Sequence, residues 1–287
     1  MIVNVIGDVT GFAQSLKLLH DQMPKGELWG VGDLIDRGPF SKEVMDYFMQ
    51  GGHNSVMGNH DHMMLFEKIR KSPDVNSRLY PDGCWGYNGG DQTLESFGVQ
   101  SYRDFDPDKF TEYFDYIQKM PLRKEIDDVI ITHAPTSDIR NKKVFNLKEI
   151  NKNEYLLDVS ALWNRSTPTK IPGKLQVYGH NSTRGILWHT DKHLHGIYMA
   201  DPNEIPEGAW AVCIDTWRET FLTGLSIDTE ILAATKDPRK AVKVFQQDLV
   251  ETSPFISKVK QNVRAAQKEY LATTPLKGVE LDNEEES

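Results

Sequence analysis

Five short apolar runs in this chain each stop beside a residue able to bind a metal ion, and that recurrence constrains the fold more than any other feature. Ile2 to Ile6 runs into Gly7-Asp8, Leu28 to Val31 into Gly32-Asp33, and Asn54 to Met57 into Gly58-Asn59-His60-Asp61. Val129 to Ile131 leads to Thr132-His133, and Gln176 to Tyr178 to Gly179-His180. Short apolar runs bounded by glycine read as buried strands. Oxygen and imidazole groups at the carboxyl ends of several strands can converge on one crevice. Thr10 breaks the pattern, because it stands where such a site is expected to carry histidine.

Helical patterns alternate with these runs. Leu16, Leu19 and Met23 share a face of one pattern, and Val44, Met45 and Phe48 share a face of another that Ser41 could cap. Met63, Met64 and Phe66 mark a third. Strands separated by helices of this length indicate βαβ units and an α/β fold with a sheet covered on both faces. Residues 71 to 105 are rich in Gly and Pro and read as a loop or insertion. Asp106-Pro107 starts a helix that Pro121 stops, and strands are expected at 211–214 and 221–227. Residues 236 to 278 carry nine Lys/Arg against four Asp/Glu, with helix starts at Asp237-Pro238 and Ser253-Pro254. The expected organisation is a main domain over 1–235, a helical extension over 236–278 and an acidic disordered tail over 279–287.

Composition excludes several classes. A formal charge of −9 argues against binding a nucleic-acid backbone, which needs clustered cations. No stretch approaches the ~20 apolar residues of a membrane span, and no basic and apolar leader opens the chain. With only Cys84 and Cys213, a disulfide framework is excluded and a reducing, cytoplasmic setting is expected.

Asp8, Asp33, Asn59, His133 and His180 offer carboxylate, amide and imidazole donors, a set suited to Mn²⁺, Fe²⁺ or Zn²⁺ rather than a soft ion. A carboxylate shared between two ions about 3.5–4 Å apart can clamp a phosphoryl group for in-line displacement. His60 adjoins a ligand and is the candidate general acid, with Asp36 to orient it. Arg37, and Arg165 in Leu162-Trp163-Asn164-Arg165, supply planar forks for phosphate oxygens. His62, and the group His189, His193 and His195, are candidates for the substrate rim against a default of packing or exposed turns; His20 reads as a packing or surface residue.

The blocks Gly7-Asp8-Val9-Thr10-Gly11, Gly32-Asp33-Leu34-Ile35-Asp36-Arg37-Gly38 and Gly58-Asn59-His60-Asp61, with the two strand-His blocks, resemble the calcineurin-like metallophosphoesterase superfamily. The similarity is to its phosphoprotein-phosphatase branch, which holds phage-type Ser/Thr phosphatases and symmetrical bis(5′-nucleosyl)-tetraphosphatases. It spans about residues 1 to 227 and includes Trp85, Asn88-Gly89-Gly90, Thr93 and Ser96-Phe97-Gly98. The resemblance implies a four-layer α/β/β/α sandwich and two divalent ions, Mn²⁺ best suited and Mg²⁺ also possible. Asp8 would belong to the first site, Asp33 would bridge, and Asn59, His133 and His180 would complete the second. It implies a hydrolase that attacks a phosphoprotein or a nucleotide phosphoanhydride with a metal-activated hydroxide. Thr10 keeps open a weakly active or inactive metal-binding module, or a variant engineered to trap substrate. Met57, where protein phosphatases carry arginine, tilts the substrate slightly towards nucleotides.

Overall fold

The computed structural model describes residues 1–70, 80, 83–136 and 161–251. Two sheets form its centre. The first holds β1 (Ile2–Ile6), β2 (Glu27–Gly30), β3 (Asn54–Ser55), β10 (Phe221–Asp228) and β11 (Val242–Asp248), in the order β11-β10-β1-β2-β3. The second holds β4 (Arg123–Ile126), β5 (Val129–Thr132), β6 (Leu175–Tyr178), β7 (Leu187–His189), β8 (Ile197–Tyr198) and β9 (Ala211–Cys213), in the order β4-β5-β6-β9-β7-β8. Strands β1, β2 and β3 run parallel, as do β5, β6 and β9. Each parallel set therefore ends on one side of its sheet.

Alternation decides what each face meets. In β1, Val3 and Val5 point into an apolar layer with Leu225 and Ile227 of β10, Val129 and Ile131 of β5, and Val177 and Val212 of the second sheet. Ile6 belongs to the opposite cluster, under the helices α1 (Ala13–Gln22), α2 (Ser41–Gln50), α3 (Asn59–Arg70) and α5 (Thr111–Lys119). The first sheet thus has one face on the second sheet and one on helices, a sheet-on-sheet sandwich. A smaller cluster of Tyr178, Trp210, Ala211 and Cys213 lies on the second sheet. Two mixed sheets packed face to face with helices against them form the α/β sandwich that the sequence implies. No helix among them is long and apolar enough to cross a membrane.

Three local expectations change. Ser41 does not cap α2: its hydroxyl oxygen accepts the Asp36 backbone N–H at 3.0 Å, so it serves the neighbouring loop. The region expected as loop contains, in its described part, a π turn at Gly86–Gly90 and α4 (Asp91–Ser96). Here Trp85 and Leu94 are buried in the helical cluster, so apolar anchors override the turn-former composition.

The third change concerns the segment after residue 235. Helix α6 (Thr229–Thr235) is followed by α7 (Pro238–Ala241), where the Asp237 carboxylate accepts the Arg239 N–H at 3.1 Å, as its Asp-Pro start implies. That helix lasts one turn. Val242 to Asp248 then pairs antiparallel with β10, from Val242 opposite Ile227 to Asp248 opposite Phe221. Val242 and Val244 pack with the inter-sheet cluster and Phe245 with the helical one, which is strand alternation. Beyond it, Glu251 accepts the backbone N–H groups of Gln14 and Ser15 at 2.7 and 3.0 Å, capping α1, which has no side-chain cap of its own. This stretch therefore belongs to the sandwich rather than to a helical appendage. Residues 252–278, including Ser253-Pro254, and the acidic tail 279–287 lie outside the described residues.

Candidate metal centre and catalytic crevice

All five expected ligands follow a strand end. Asp8 lies two residues past β1, His133 directly after β5, and His180 two residues past β6. Asp33 follows β2, and Asn59 opens α3. Close backbone contact brings these ends together. A Cβ built on Gly179 would lie 1.9 Å from an Asp8 carboxylate oxygen, so only glycine permits the β6 turn to approach Asp8. The loops after β1 and β2 are tied by Thr10 N–H to Asp33 O at 2.8 Å and Gly11 N–H to Leu34 O at 3.0 Å. Five non-glycine residues here have left-handed φ: Thr10 (44°), Asp33 (50°), Asp36 (77°), Arg37 (61°) and His180 (65°). Such strain persists only where surrounding contacts over-determine it, and it concentrates at functional sites.

The donors converge. Ligand atoms of Asp8, Asp33 and His133, all buried, lie within 4.8 Å of one another. His133 Nε2 is 2.8 Å from Asn59 Oδ1 and 3.4 Å from Asp33 Oδ1, and His180 Nδ1 is 2.9 Å from the same Asn59 oxygen. His133 Nδ1 donates to Val31 O at 2.9 Å, which leaves Nε2 as a lone-pair donor for a metal.

The electrostatics fit a cation. Burial lowers both imidazoles, His133 against the opposing pull of Asp33, and His180 to about 3 with His133 adding to the effect; this favours the neutral form that metal ligands need. Burial alone would raise the Asp33 carboxyl, but His133, His60 and Arg37 together outweigh it and hold Asp33 at about 2. Asp8 is pushed well above its ordinary value by burial and by the like charges of Asp215 and Asp33. A divalent ion between these groups would reverse that cost.

Next to the donors sits the expected acid pair. His60 Nδ1 lies 2.5 Å from Asp36 Oδ2, and His60 N–H donates to Asp33 Oδ1 at 2.9 Å. Asp36 is itself fixed, because Trp85 Nε1–H donates to its Oδ1 at 3.0 Å and the Thr93 hydroxyl at 2.7 Å. Arg37 Nη2 donates to His60 Nε2 at 2.6 Å. Gly89 makes room for Arg37, since its φ is +110° and a Cβ there would meet Arg37 Cγ at 2.9 Å. Arg165 is exposed, with Nη1 3.4 Å from Asn181 Oδ1 beside His180.

Sequence reasoning missed three contributors. Asp61 is buried and accepts backbone N–H groups of Asp33, Leu34 and Gly58 at 2.8, 3.1 and 2.9 Å, bracing the two ligand loops. Its place in the Gly58-Asn59-His60-Asp61 block was the available signal. Asp215, two residues past β9, is buried beside Asp8; burial and Asp33 raise it to about 6 although the Ser182 hydroxyl donates to it at 2.9 Å. Arg218 follows it, within 5.4 Å of the Trp217 ring. Both lie past an apolar run of the same kind as the five, and that run was assigned no ligand.

Of the histidines outside the set, His62 and His189 are buried in packing roles, while His195 is exposed. His62 is buried in α3 with Nδ1 3.0 Å from the Tyr80 hydroxyl, and His189 lies in β7 between the Tyr178 hydroxyl at 2.7 Å and Leu194 O at 2.8 Å. His195 Nδ1 meets the Thr167 hydroxyl at 3.2 Å, and His20 the Tyr47 hydroxyl at 2.6 Å. Burial raises the Cys213 thiol well above its ordinary range, as suits a structural cysteine, and Cys84 sits partly buried against the helical cluster.

The chain is 39% identical over 83 residues to a symmetrical bis(5′-nucleosyl)-tetraphosphatase of Shewanella sediminis, covering 26% of this chain and 30% of that protein. It is 29% identical over 166 residues to the enzyme of that name from Shewanella oneidensis, covering 53% of each. The chain thus spans about a third to a half of the length of these curated relatives. A protein serine/threonine phosphatase from Saccharomyces cerevisiae shares the fold at 14% identity and a TM-score of 0.52, over 88% of this chain and 82% of that one. Residues 1–205 match the calcineurin-like phosphoesterase family, and the chain belongs to it.

Proposed function

We propose that this protein hydrolyses a phosphoester or a nucleotide phosphoanhydride with two divalent ions, Mn²⁺ the best suited. Asp8 and Asp33 would hold one ion, and Asp33, Asn59, His133 and His180 the other. The observation that carries this reading is the buried Asp8–Asp33–His133 donor set next to a His60–Asp36 pair at 2.5 Å. Bound ions of this kind lower the pKa of water and offset charge on phosphoryl oxygens.

The chain's own groups do the rest. Arg37 and Arg165 take phosphoryl oxygens through planar forks. Water forms the new P–O bond in line, the bond to the leaving oxygen breaks, and that oxygen takes the proton from His60 Nε2. Asp36 holds the Nδ1 side of the ring and stabilises the imidazolium. In the ligand-free protein Arg37 Nη2 lies 2.6 Å from Nε2. Substrate would draw the guanidinium onto the phosphoryl group and leave Nε2 facing the leaving oxygen.

The tetraphosphatase names of the relatives favour a nucleotide over a phosphoprotein, and a reducing, cytoplasmic setting fits a chain with only two cysteines. One observation favours a metal-binding module of low activity: Thr10 Oγ1 is buried, makes no hydrogen bond, and replaces an imidazole donor. Hydrolysis of p-nitrophenyl phosphate with added Mn²⁺, measured with metal content per chain, separates the two. Turnover that follows metal loading supports the hydrolase; full loading without turnover supports the module.

A further inference from the structure

Three arginines surround the crevice of an acidic protein, and among the described residues none is ion-paired with a carboxylate. The formal charge is −9, so carboxylates are plentiful, yet the guanidiniums of Arg37, Arg165 and Arg218 are left for something else. Two of them share one indole: Arg37 Cζ lies 5.0 Å and Arg218 Cζ 5.4 Å from the Trp217 ring centroid. Trp217 is buried in the helical cluster next to Phe12, at a centroid distance of 6.3 Å, so it is a rigid platform. Arg37 reaches inward to His60, while Arg218 is exposed at the rim. Burial and then repulsion from Arg37 lower the Arg218 guanidinium, and Arg165 adds to that repulsion, while the buried Asp215 carboxylate offsets only part of it. Like charges held together in this way are favourable only with an anion between them.

One phosphoryl group does not need all three. In an in-line displacement its two apical positions belong to the attacking and leaving oxygens, which leaves three equatorial oxygens for the protein. Arg37, Arg165 and the bound ions would answer those. Arg218 shares the Trp217 ring with Arg37, so a second phosphoryl group linked to the one that Arg37 holds would come within its reach.

We propose that Arg218 is a specificity-determining residue that binds a second phosphoryl group, so that the substrate carries two or more linked phosphoryl groups. This rests on the phosphoesterase reading above. A phosphorylated side chain of a protein offers one phosphoryl group and gains nothing from Arg218. A diphosphate or longer chain gains a charge-assisted contact.

The test compares orthophosphate and inorganic pyrophosphate as competitive inhibitors of p-nitrophenyl phosphate hydrolysis at one fixed free Mn²⁺ concentration, with direct binding of both anions by calorimetry. In the unaltered protein pyrophosphate binds more tightly than orthophosphate. Arg218→Gln weakens pyrophosphate about tenfold and weakens orthophosphate by much less. Arg218→Lys, which keeps the charge but not the fork, recovers part of the loss. Equal weakening of both anions, or of neither, overturns the proposal. If neither anion binds the unaltered metal-loaded protein, the phosphoesterase reading fails first and takes the proposal with it.

Discussion

At the scale of single residues, His60 occupies an unusual position: its backbone N–H serves a candidate metal ligand, Asp33, while its ring is turned to Asp36 and Arg37. The ring lies between Asp36 at 2.5 Å and Arg37 at 2.6 Å, and Nε2 is 3.8 Å from Asp33 Oδ2. That geometry fits the proposed role of proton donor beside bound ions better than that of a ligand. His60→Asn is therefore expected to keep the metal content and lower turnover by ~10²–10⁴-fold, the range of general acid catalysis. Elemental analysis of the variant checks the first part and steady-state kinetics the second. Loss of metal would reassign His60 to the donor set. The sequence made this residue legible because it adjoins Asn59 within a glycine-led block. Its support was not legible, since Trp85 and Thr93 reach Asp36 from 49 and 57 residues away.

Among secondary-structure elements, the strands preceding ligands were readable because each is a short apolar run ended by glycine or a ligand. β11 was not. Its sequence, Val242-Lys243-Val244-Phe245-Gln246-Gln247-Asp248, follows a helix start and is amphipathic on either period, so only pairing with β10 decides it. Helix α3 posed the opposite difficulty. Its start follows from the Asn59 block, but which of its histidines faces the crevice depends on packing. His62 turns away, into the core with Tyr80 and Phe66, and burial lowers it to about 3. In the unfolded chain it titrates near 6.5. Below that pH the unfolded chain takes up a proton that the folded chain refuses, so this contribution is intact above 6.5 and lost as pH falls towards 3. The linkage slope for one proton is about 1.4 kcal/mol per pH unit. Urea denaturation of His62→Gln between pH 6 and pH 4 should show a slope shallower by about one proton than the unaltered protein. Equal slopes would mean that His62 is protonated in the fold.

Taken whole, the molecule gathers its donors from two sheets, and no single βαβ unit contains the site. Asp8, Asp33 and Asn59 come from the first sheet's edge and His133 and His180 from the second's, so an ion bound among them ties the two sheets together. Such an ion binds the folded state and not the separated strands, and therefore stabilises by RT ln(1 + [ion]/Kd). Thr10 limits this effect on the Asp8 side. Its hydroxyl is a neutral, weak donor, and its Oγ1 is buried without a hydrogen bond. It also holds φ at 44°, a region that β-branched residues rarely adopt and histidine tolerates better. Thr10→His should thus add an imidazole donor and relieve local strain together. The expected result is more metal bound per chain, a larger rise in melting temperature on adding millimolar Mn²⁺, and faster hydrolysis at limiting metal. Melting curves and elemental analysis, run on both proteins with Mn²⁺ and with a chelator, read this independently of activity. Two ions already held tightly by the Thr10 protein, with no further gain in the histidine variant, would show that a group such as Asp215 completes the first site instead.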